Sequence, residues 1–252
     1  MTTVGINTLV YMSDLQAGTP QSSVLPRIAD LGIKLAEVRR EFILAGENPD
    51  TEFDRIAAAA KAGGLDLFYS VPEVITKDGK ANPELATYFA EAKRMNVKNV
   101  KLNQGDVKDV DADVLHGIDA LAAEYGVTLT IENDQTPENG TFACTEASLK
   151  NVKDAGSAIG YTFDLGNWFW RDEDPTKTFA ALKDYITVFH LKNVNGAEKR
   201  EDLSTVMLEE GVIDWKALLA QLSDDVPVFL EYPIAAADVD HEVTLVRQAV
   251  NA

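Results

Sequence analysis

Eight short runs rich in Val, Ile, Leu, Thr, Phe or Tyr alternate with helix-like segments along 252 residues. That alternation predicts an α/β chain with a parallel sheet, and eight strands are the number that closes a (β/α)8 TIM barrel. Two further observations agree. Glycines sit between a helix-like segment and the next apolar run at Leu31-Gly32-Ile33, Gly63-Gly64-Leu65 and Tyr125-Gly126-Val127. A glycine there stops the helix and turns the chain back into the sheet. The first run is followed by Asn7-Thr8-Leu9-Val10-Tyr11, which is not the glycine-rich phosphate loop usual in an open doubly wound sheet.

The expected strands are Thr3–Asn7, Leu35–Arg39, Leu65–Ser70, Asn99–Asn103, Thr128–Glu132, Tyr161–Asp164, Ile186–Leu191 and Val226–Glu231. The Ala-rich stretch from Thr51 to Gly63 has strong helix propensity and a closing glycine. Asn82 followed by Pro83 reads as an N-cap and first turn. Helices are also expected over Asp111–Tyr125, Thr145–Ala155, Thr176–Lys183, Asp214–Leu222 and Asp240–Val250. No linker, repeat or low-complexity tract interrupts the pattern, so residues 1–252 read as one domain, an ordinary size for such a barrel.

Composition narrows the function. A formal net charge of −18 argues against nucleic acid and anionic membranes as partners, since phosphate binding needs fields of Lys and Arg. No apolar run approaches the roughly 18–20 residues of a membrane helix. The opening Met1-Thr2-Thr3-Val4 has no basic region, so no signal peptide is expected. The single cysteine, Cys144, cannot form an internal disulfide and fits a reducing, cytoplasmic setting; near a helix start with no histidine close by, it reads as structural. With only His116, His190 and His241, a multi-zinc site built from many imidazoles is excluded.

The ends of the last four strands before the C-terminal helix carry the chemistry. They bear Glu132 in Thr-Ile-Glu-Asn, Asp164 in Thr-Phe-Asp-Leu-Gly-Asn, His190 in Phe-His-Leu-Lys and Glu231 in Phe-Leu-Glu-Tyr. Strand interiors are depleted in Asp and Glu, and a parallel barrel would bring all four residues to one rim. Three carboxylates and one imidazole suit a single hard divalent ion, Mn²⁺ or Mg²⁺, with Co²⁺ or Zn²⁺ as substitutes. Such a site would take a small polyhydroxylated carbonyl compound, a carbohydrate in the simplest case. It would stabilise the charge that develops as a proton leaves the carbon next to the carbonyl.

The segments Ile-Glu-Asn, Phe-Asp-Leu-Gly-Asn-Trp, His-Leu-Lys and Leu-Glu-Tyr, in this order and spacing, resemble the xylose isomerase-like TIM-barrel superfamily. The nearest branch holds the sugar isomerases and epimerases: ketose 3-epimerases, inosose dehydratases and hydroxypyruvate isomerases. The resemblance implies that Glu132, Asp164, His190 and Glu231 bind one divalent metal, commonly Mn²⁺, and that Glu132 and Glu231 also move protons. The expected activity is a metal-dependent isomerase or epimerase acting through an enediolate. The alternatives are a lyase or dehydratase using the same intermediate, and a barrel that binds sugar without turnover.

Further residues are expected to line the substrate pocket: Asn7, Tyr69, Lys101, Asn167, Trp168 and Lys192. Asn167 stands where many epimerases of this kind carry a histidine. Asn193 replaces the acid of the frequent His-Leu-Lys-Asp run, which would weaken the orientation of His190. Gly196 and Ala197 occupy the stretch where an arginine contacts substrate in the epimerases. Glu37 and Arg39 alternate on the second strand, point to one side and read as members of an ion pair inside the barrel. Trp168, Phe169 and Trp170 form an aromatic loop that would wall the site or cover a homo-oligomer contact.

Overall fold

The computed structural model describes residues 2–46 and 48–251. Eight parallel strands close into a barrel in sequential order: β1 (Val4–Asn7), β2 (Leu35–Arg39), β3 (Asp66–Val74), β4 (Val97–Asn103), β5 (Thr128–Glu132), β6 (Gly160–Asp164), β7 (Ile186–Leu191) and β8 (Val228–Leu230). The barrel closes through β1 and β8, where Val4, Gly5 and Ile6 pair with Val228, Phe229 and Leu230. A helix follows each strand: α1 (Gln21–Asp30), α2 (Pro49–Gly63), α3 (Leu85–Arg94), α4 (Ala112–Tyr125), α5 (Phe142–Ala155), α6 (Pro175–Leu182), α7 (Trp215–Leu219) and α8 (Val239–Val250).

Local chemistry sets the helix limits. Thr141 accepts a bond from the Cys144 amide at the head of α5, and Asp174 accepts from Thr176 and Lys177 at the head of α6, filling donors that helix starts leave unpaired. The stop after α4 is Gly126 at φ 73°, a left-handed conformation in which a Cβ is strained. One expected cap is not formed. The helix after Asn82 begins only at Leu85, and the Asn82 amide instead accepts from the Glu84 N–H and donates to the Val74 carbonyl. Asn82 thereby closes a small hairpin, Thr76–Lys77 with Lys80–Ala81, that the sequence pattern does not announce.

The inside of the barrel is layered. Leu35, Phe68, Val188 and Phe229 form an apolar plug near its lower end. Gly5 lies against this plug, and a Cβ there would stand 2.6 Å from the Phe229 ring. Above it Asn99 and Thr162 both hydrogen-bond Thr130, at 3.1 and 2.8 Å. The top layer, where the strands end, is charged. Outward-facing strand residues such as Val38, Tyr69, Val100, Ile131, Phe163, Phe189 and Leu230 join the larger core between sheet and helices. Among the described residues no helix is long and apolar enough to cross a membrane.

Candidate metal centre

Glu132 closes β5, Asp164 closes β6, His190 is the penultimate residue of β7, and Glu231 directly follows β8. All four are buried, and one ligand atom from each lies within 4.8 Å of the others. The His190 ring is central. Its Nδ1 is 2.9 Å from Glu132 Oε1 and 3.6 Å from Glu231 Oε1, and its Nε2 is 2.9 Å from Glu37 Oε2. Glu37 is held in turn by the Asn7 amide, which donates to its Oε2 at 2.6 Å. A carboxylate on the far nitrogen fixes the tautomer and ring direction of a metal-binding histidine. Glu37 stands at that nitrogen as a charge partner, although Nε2 makes no hydrogen bond of normal geometry and the ring's hydrogen bond is the one from Nδ1 to Glu132. Asn193 has no such part, because its amide binds the Leu208 and Ile213 carbonyls and accepts from the Ile213 N–H.

Three cations reach into the same layer. Lys101 on β4 contacts Glu132, and Arg39 on β2 contacts Glu231 Oε1 at 2.8 Å while Glu41 takes its Nε at 2.6 Å. Lys192, two residues beyond His190, lies 2.7 Å from Asp164 and 3.0 Å from Glu231. Its stem runs over Gly166, where a Cβ would meet the Lys192 Cγ at 2.6 Å. Glu37 and Arg39 do face one side as expected, but each pairs across the barrel with a different partner.

Burial and charge move the protonation states in opposite directions. Burial pushes Asp164 up to about 7, with the neighbouring Glu231 and Glu132 adding to it and Lys192 opposing. Burial also disfavours charge on Glu132, yet Lys101 and the His190 hydrogen bond outweigh it and hold the carboxyl at about 2. Glu231 likewise stays well below the usual carboxylate range against its burial, through Lys192, His190 and Arg39. His190 overcomes its own burial through Glu37, Glu231 and Glu132 and keeps its proton well above 6.5.

The residues fit a divalent ion. Three carboxylates and an imidazole supply hard donors with one nitrogen. Asp164 Oδ2 accepts no hydrogen bond of normal geometry, although the Lys192 ammonium is near it. Once Asp164 and His190 give up their protons, Glu37, Glu41, Glu132, Asp164 and Glu231 face Arg39, Lys101 and Lys192 as the permanent cations among the described residues, leaving two negative charges for a dication to balance.

Not every expected pocket residue arrives at this mouth. Asn7, Lys101 and Lys192 do. Tyr69 does not: it lies on the outer face of β3 and donates to Glu91 on α3 at 2.7 Å, beside Arg40. Tyr69→Phe should therefore lower stability by about 1–3 kcal/mol, the scale of a buried bond to a charged acceptor. Mn²⁺ affinity should be unchanged, which denaturant melts and a metal titration would check together. Trp168 is also displaced from the expected place. It is fully buried, with its ring 5.7 Å from Phe163 in the layer behind the sheet, while Phe169 and Trp170 pack half-buried against the core.

Asn167 stays close, but its amide is committed to protein partners. It donates to the Asn133 carbonyl and accepts from Gln135, while its backbone N–H binds Asp164 Oδ1 at 2.9 Å. Asn133, not among the expected residues, accepts from the Tyr161 hydroxyl and the Asp164 N–H and donates to the Asp164 carbonyl. These amides hold Asp164 in place. The only sequence signal for Asn133 is its position directly after Glu132.

The geometry defines a class: a (β/α)8 barrel with a buried three-carboxylate, one-imidazole cluster at the C-terminal ends of its strands. The xylose isomerase-like TIM barrel family model matches residues 26–250, and the chain belongs to that family. Solved structures share the fold at low identity. A probable 3-DHS dehydratase, AsbF, involved in petrobactin synthesis in Bacillus anthracis, is 14% identical with a TM-score of 0.72, over 98% of this chain and 99% of that one. The IolI protein with a bound zinc atom is 17% identical with a TM-score of 0.74, over 99% and 98%. An L-ribulose 3-epimerase is 17% identical with a TM-score of 0.69, over 100% and 95%. No curated protein sequence matches the chain.

Proposed function

We propose that the protein is a divalent-metal-dependent isomerase or epimerase that removes a proton from the carbon beside a carbonyl. The carrying observation is the pair Glu132 and Glu231, two carboxylates that both approach His190 Nδ1, at 2.9 and 3.6 Å, within one buried cluster. Glu132, Asp164, His190 and Glu231 would hold the ion. When bound, the ion supplies Lewis-acid polarisation of the substrate carbonyl.

The chain's own residues then do the proton work. One glutamate takes the proton and the other returns one, an exchange that inverts a centre if the two act on opposite faces. Lys101 and His190 keep Glu132 ionised, and Lys192, His190 and Arg39 keep Glu231 ionised, so both stand in their base form at neutral pH. Lys101 and Lys192 also supply positive charge beside an enediolate oxygen. Asn7 holds Glu37 beside the His190 ring, Glu132 hydrogen-bonds that ring, and Asn133 with the Asn167 N–H holds Asp164, so the set is oriented before substrate arrives.

Mn²⁺ suits the oxygen-rich donor set, and a small carbohydrate suits the chemistry; the lone buried Cys144 fits a reducing, cytoplasmic setting. A lyase using the same enediolate is the second reading, favoured by the likeness to AsbF, described as a probable dehydratase. The test is incubation of Mn²⁺-loaded protein with a panel of ketoses in D₂O. An isomerase or epimerase incorporates solvent deuterium into recovered sugar, and a lyase consumes the sugar. Neither result with any carbonyl substrate would remove the enzymatic reading.

Metal uptake should depend steeply on pH. Coordination needs Asp164 and His190 deprotonated, whereas Asp164 holds its proton up to about 7 and His190 to well above 6.5. Affinity is therefore expected to fall as pH drops below about 7, and binding there should release roughly one to two protons per ion. Calorimetry in buffers of different ionisation enthalpy measures that release. A pH-independent affinity between pH 6 and 8 would contradict the assignment.

A further inference from the structure

The loop that follows β6 runs beside the end of β7 and brings Gly166 against Lys192. Asp164 pairs with His190 in the sheet, and the Leu165 N–H donates to the His190 carbonyl at 3.0 Å. Two residues beyond that pair stand Gly166 and Lys192, and the lysine stem lies across the glycine. A Cβ at position 166 would stand 2.6 Å from the Lys192 Cγ, 3.1 Å from Cδ and 3.5 Å from Cε. Three carbons of one stem therefore use the space that a side chain would fill. The backbone itself does not call for glycine, since φ −82° and ψ −26° at Gly166 lie in the right-handed region open to residues with a Cβ. The room it leaves is what this glycine contributes.

That room decides where the ammonium goes. The buried Lys192 Nζ lies 2.7 Å from Asp164 Oδ2 and 3.0 Å from Glu231 Oε2. Both acids belong to the clustered set of four, so a cation of the chain itself bridges two of the candidate ligands. Lys101 and Arg39 are placed differently: within that set Lys101 contacts Glu132, and Arg39 contacts Glu231. The two contacts of Lys192 also differ in kind. It donates a hydrogen bond to Glu231 Oε2, whereas Asp164 Oδ2 receives none of normal geometry despite the shorter distance. Asp164 is thus held by charge without a well-aimed N–H. Its Oδ1 already accepts from the Asn167 N–H, so Oδ2 is the oxygen left for an ion. A dication carries twice the charge of an ammonium and has no N–H to aim, which suits that oxygen better.

We infer that Gly166 and Lys192 act as a pair that sets the ion affinity of this site: the glycine admits the lysine stem, and the ammonium competes with the divalent ion for Asp164 and Glu231. The inference rests on the metal-dependent reading above. Lys192 holds the affinity below what the four ligands alone would give. Gly166 is a positioning residue that acts only through Lys192.

The test is a cycle of two substitutions. Wild type, Gly166→Ala, Lys192→Ala and the double variant are stripped with a chelator and titrated with Mn²⁺ by calorimetry. Lys192→Ala should tighten Mn²⁺ binding by at least about tenfold, the scale of losing a charge-assisted bond that competes with the ion. Gly166→Ala keeps every charge and moves the ammonium, and it should tighten binding by at least about threefold, a part of the same bond. With Lys192 already replaced, Gly166→Ala should change nothing further, the mark of two residues acting as one unit.

A Gly166→Ala variant with unchanged or weaker affinity beside a tighter Lys192→Ala variant would show that the lysine acts through its charge and not its place. That result overturns the inference, and so does a Gly166→Ala effect that persists without Lys192. If Gly166→Ala fails to fold, Lys192→Ala decides alone, since unchanged or weaker Mn²⁺ binding there excludes competition. Binding in the wild type with no change among the variants removes the inference and leaves the metal reading standing. No Mn²⁺ binding in any of the forms removes both.

Discussion

Replacing Glu231 by Gln is expected to reduce solvent deuterium exchange into substrate by about 10²–10⁴-fold, the usual contribution of a positioned acid–base group. The amide keeps the shape of the side chain and removes its capacity to take a proton. Glu231 is built for that role by opposition: burial disfavours its charge, while Lys192, His190 and Arg39 hold it ionised. The same substitution removes a ligand, so metal content must be measured alongside exchange. The informative result is a variant that still takes up Mn²⁺ at high concentration but does not exchange. A variant that exchanges at the wild-type rate would exclude Glu231 from proton transfer and leave Glu132 to act alone.

Asp164→Ala should weaken divalent metal binding by more than about 100-fold, beyond the 10–100-fold typical of losing a residue that merely orients a ligand. Asp164 is partnered by the Asn167 N–H and the Lys192 ammonium. Its Oδ2 lacks a hydrogen bond of normal geometry, and burial already lifts its carboxyl to about 7. A buried carboxylate in that condition gains most from a dication. The substitution also relieves burial of an acid, so the folded chain should not be less stable at neutral pH on that account. Loss of metal with an unchanged melting temperature separates a ligand from a structural residue, and unchanged affinity would remove Asp164 from the set.

The barrel was legible because each level of the sequence agreed. Strand runs at Leu35–Arg39, Thr128–Glu132 and Ile186–Leu191 match the structure residue for residue, since short Val, Ile, Leu and Thr runs between capped helices leave few alternatives. The gathering of Glu132, Asp164, His190 and Glu231 was legible for a related reason: an ionisable residue at the end of an apolar strand is costly unless the fold gathers several of them. What surrounds them was less so. Tyr69 and Trp168 were expected at the pocket, but facing is set by one residue of strand register or by a loop's turn, and residue type does not report either. Glu37 and Asn133 act through contacts with His190 and Asp164, made across 153 and 31 positions. No local pattern encodes such distant pairs. Asn193 shows the converse, since its replacement of an acid looked like a loss for His190 while its amide in fact ties down the following loop.

The most direct test is the metal content of the wild-type protein, purified without chelators, then incubated with Mn²⁺, desalted and measured by elemental mass spectrometry. About one ion per chain is the expected result, from four donors gathered in a single buried cluster. A chain that holds no divalent ion after Mn²⁺ addition at pH 8, where Asp164 is ionised, would contradict the assignment of Glu132, Asp164, His190 and Glu231 as a metal centre.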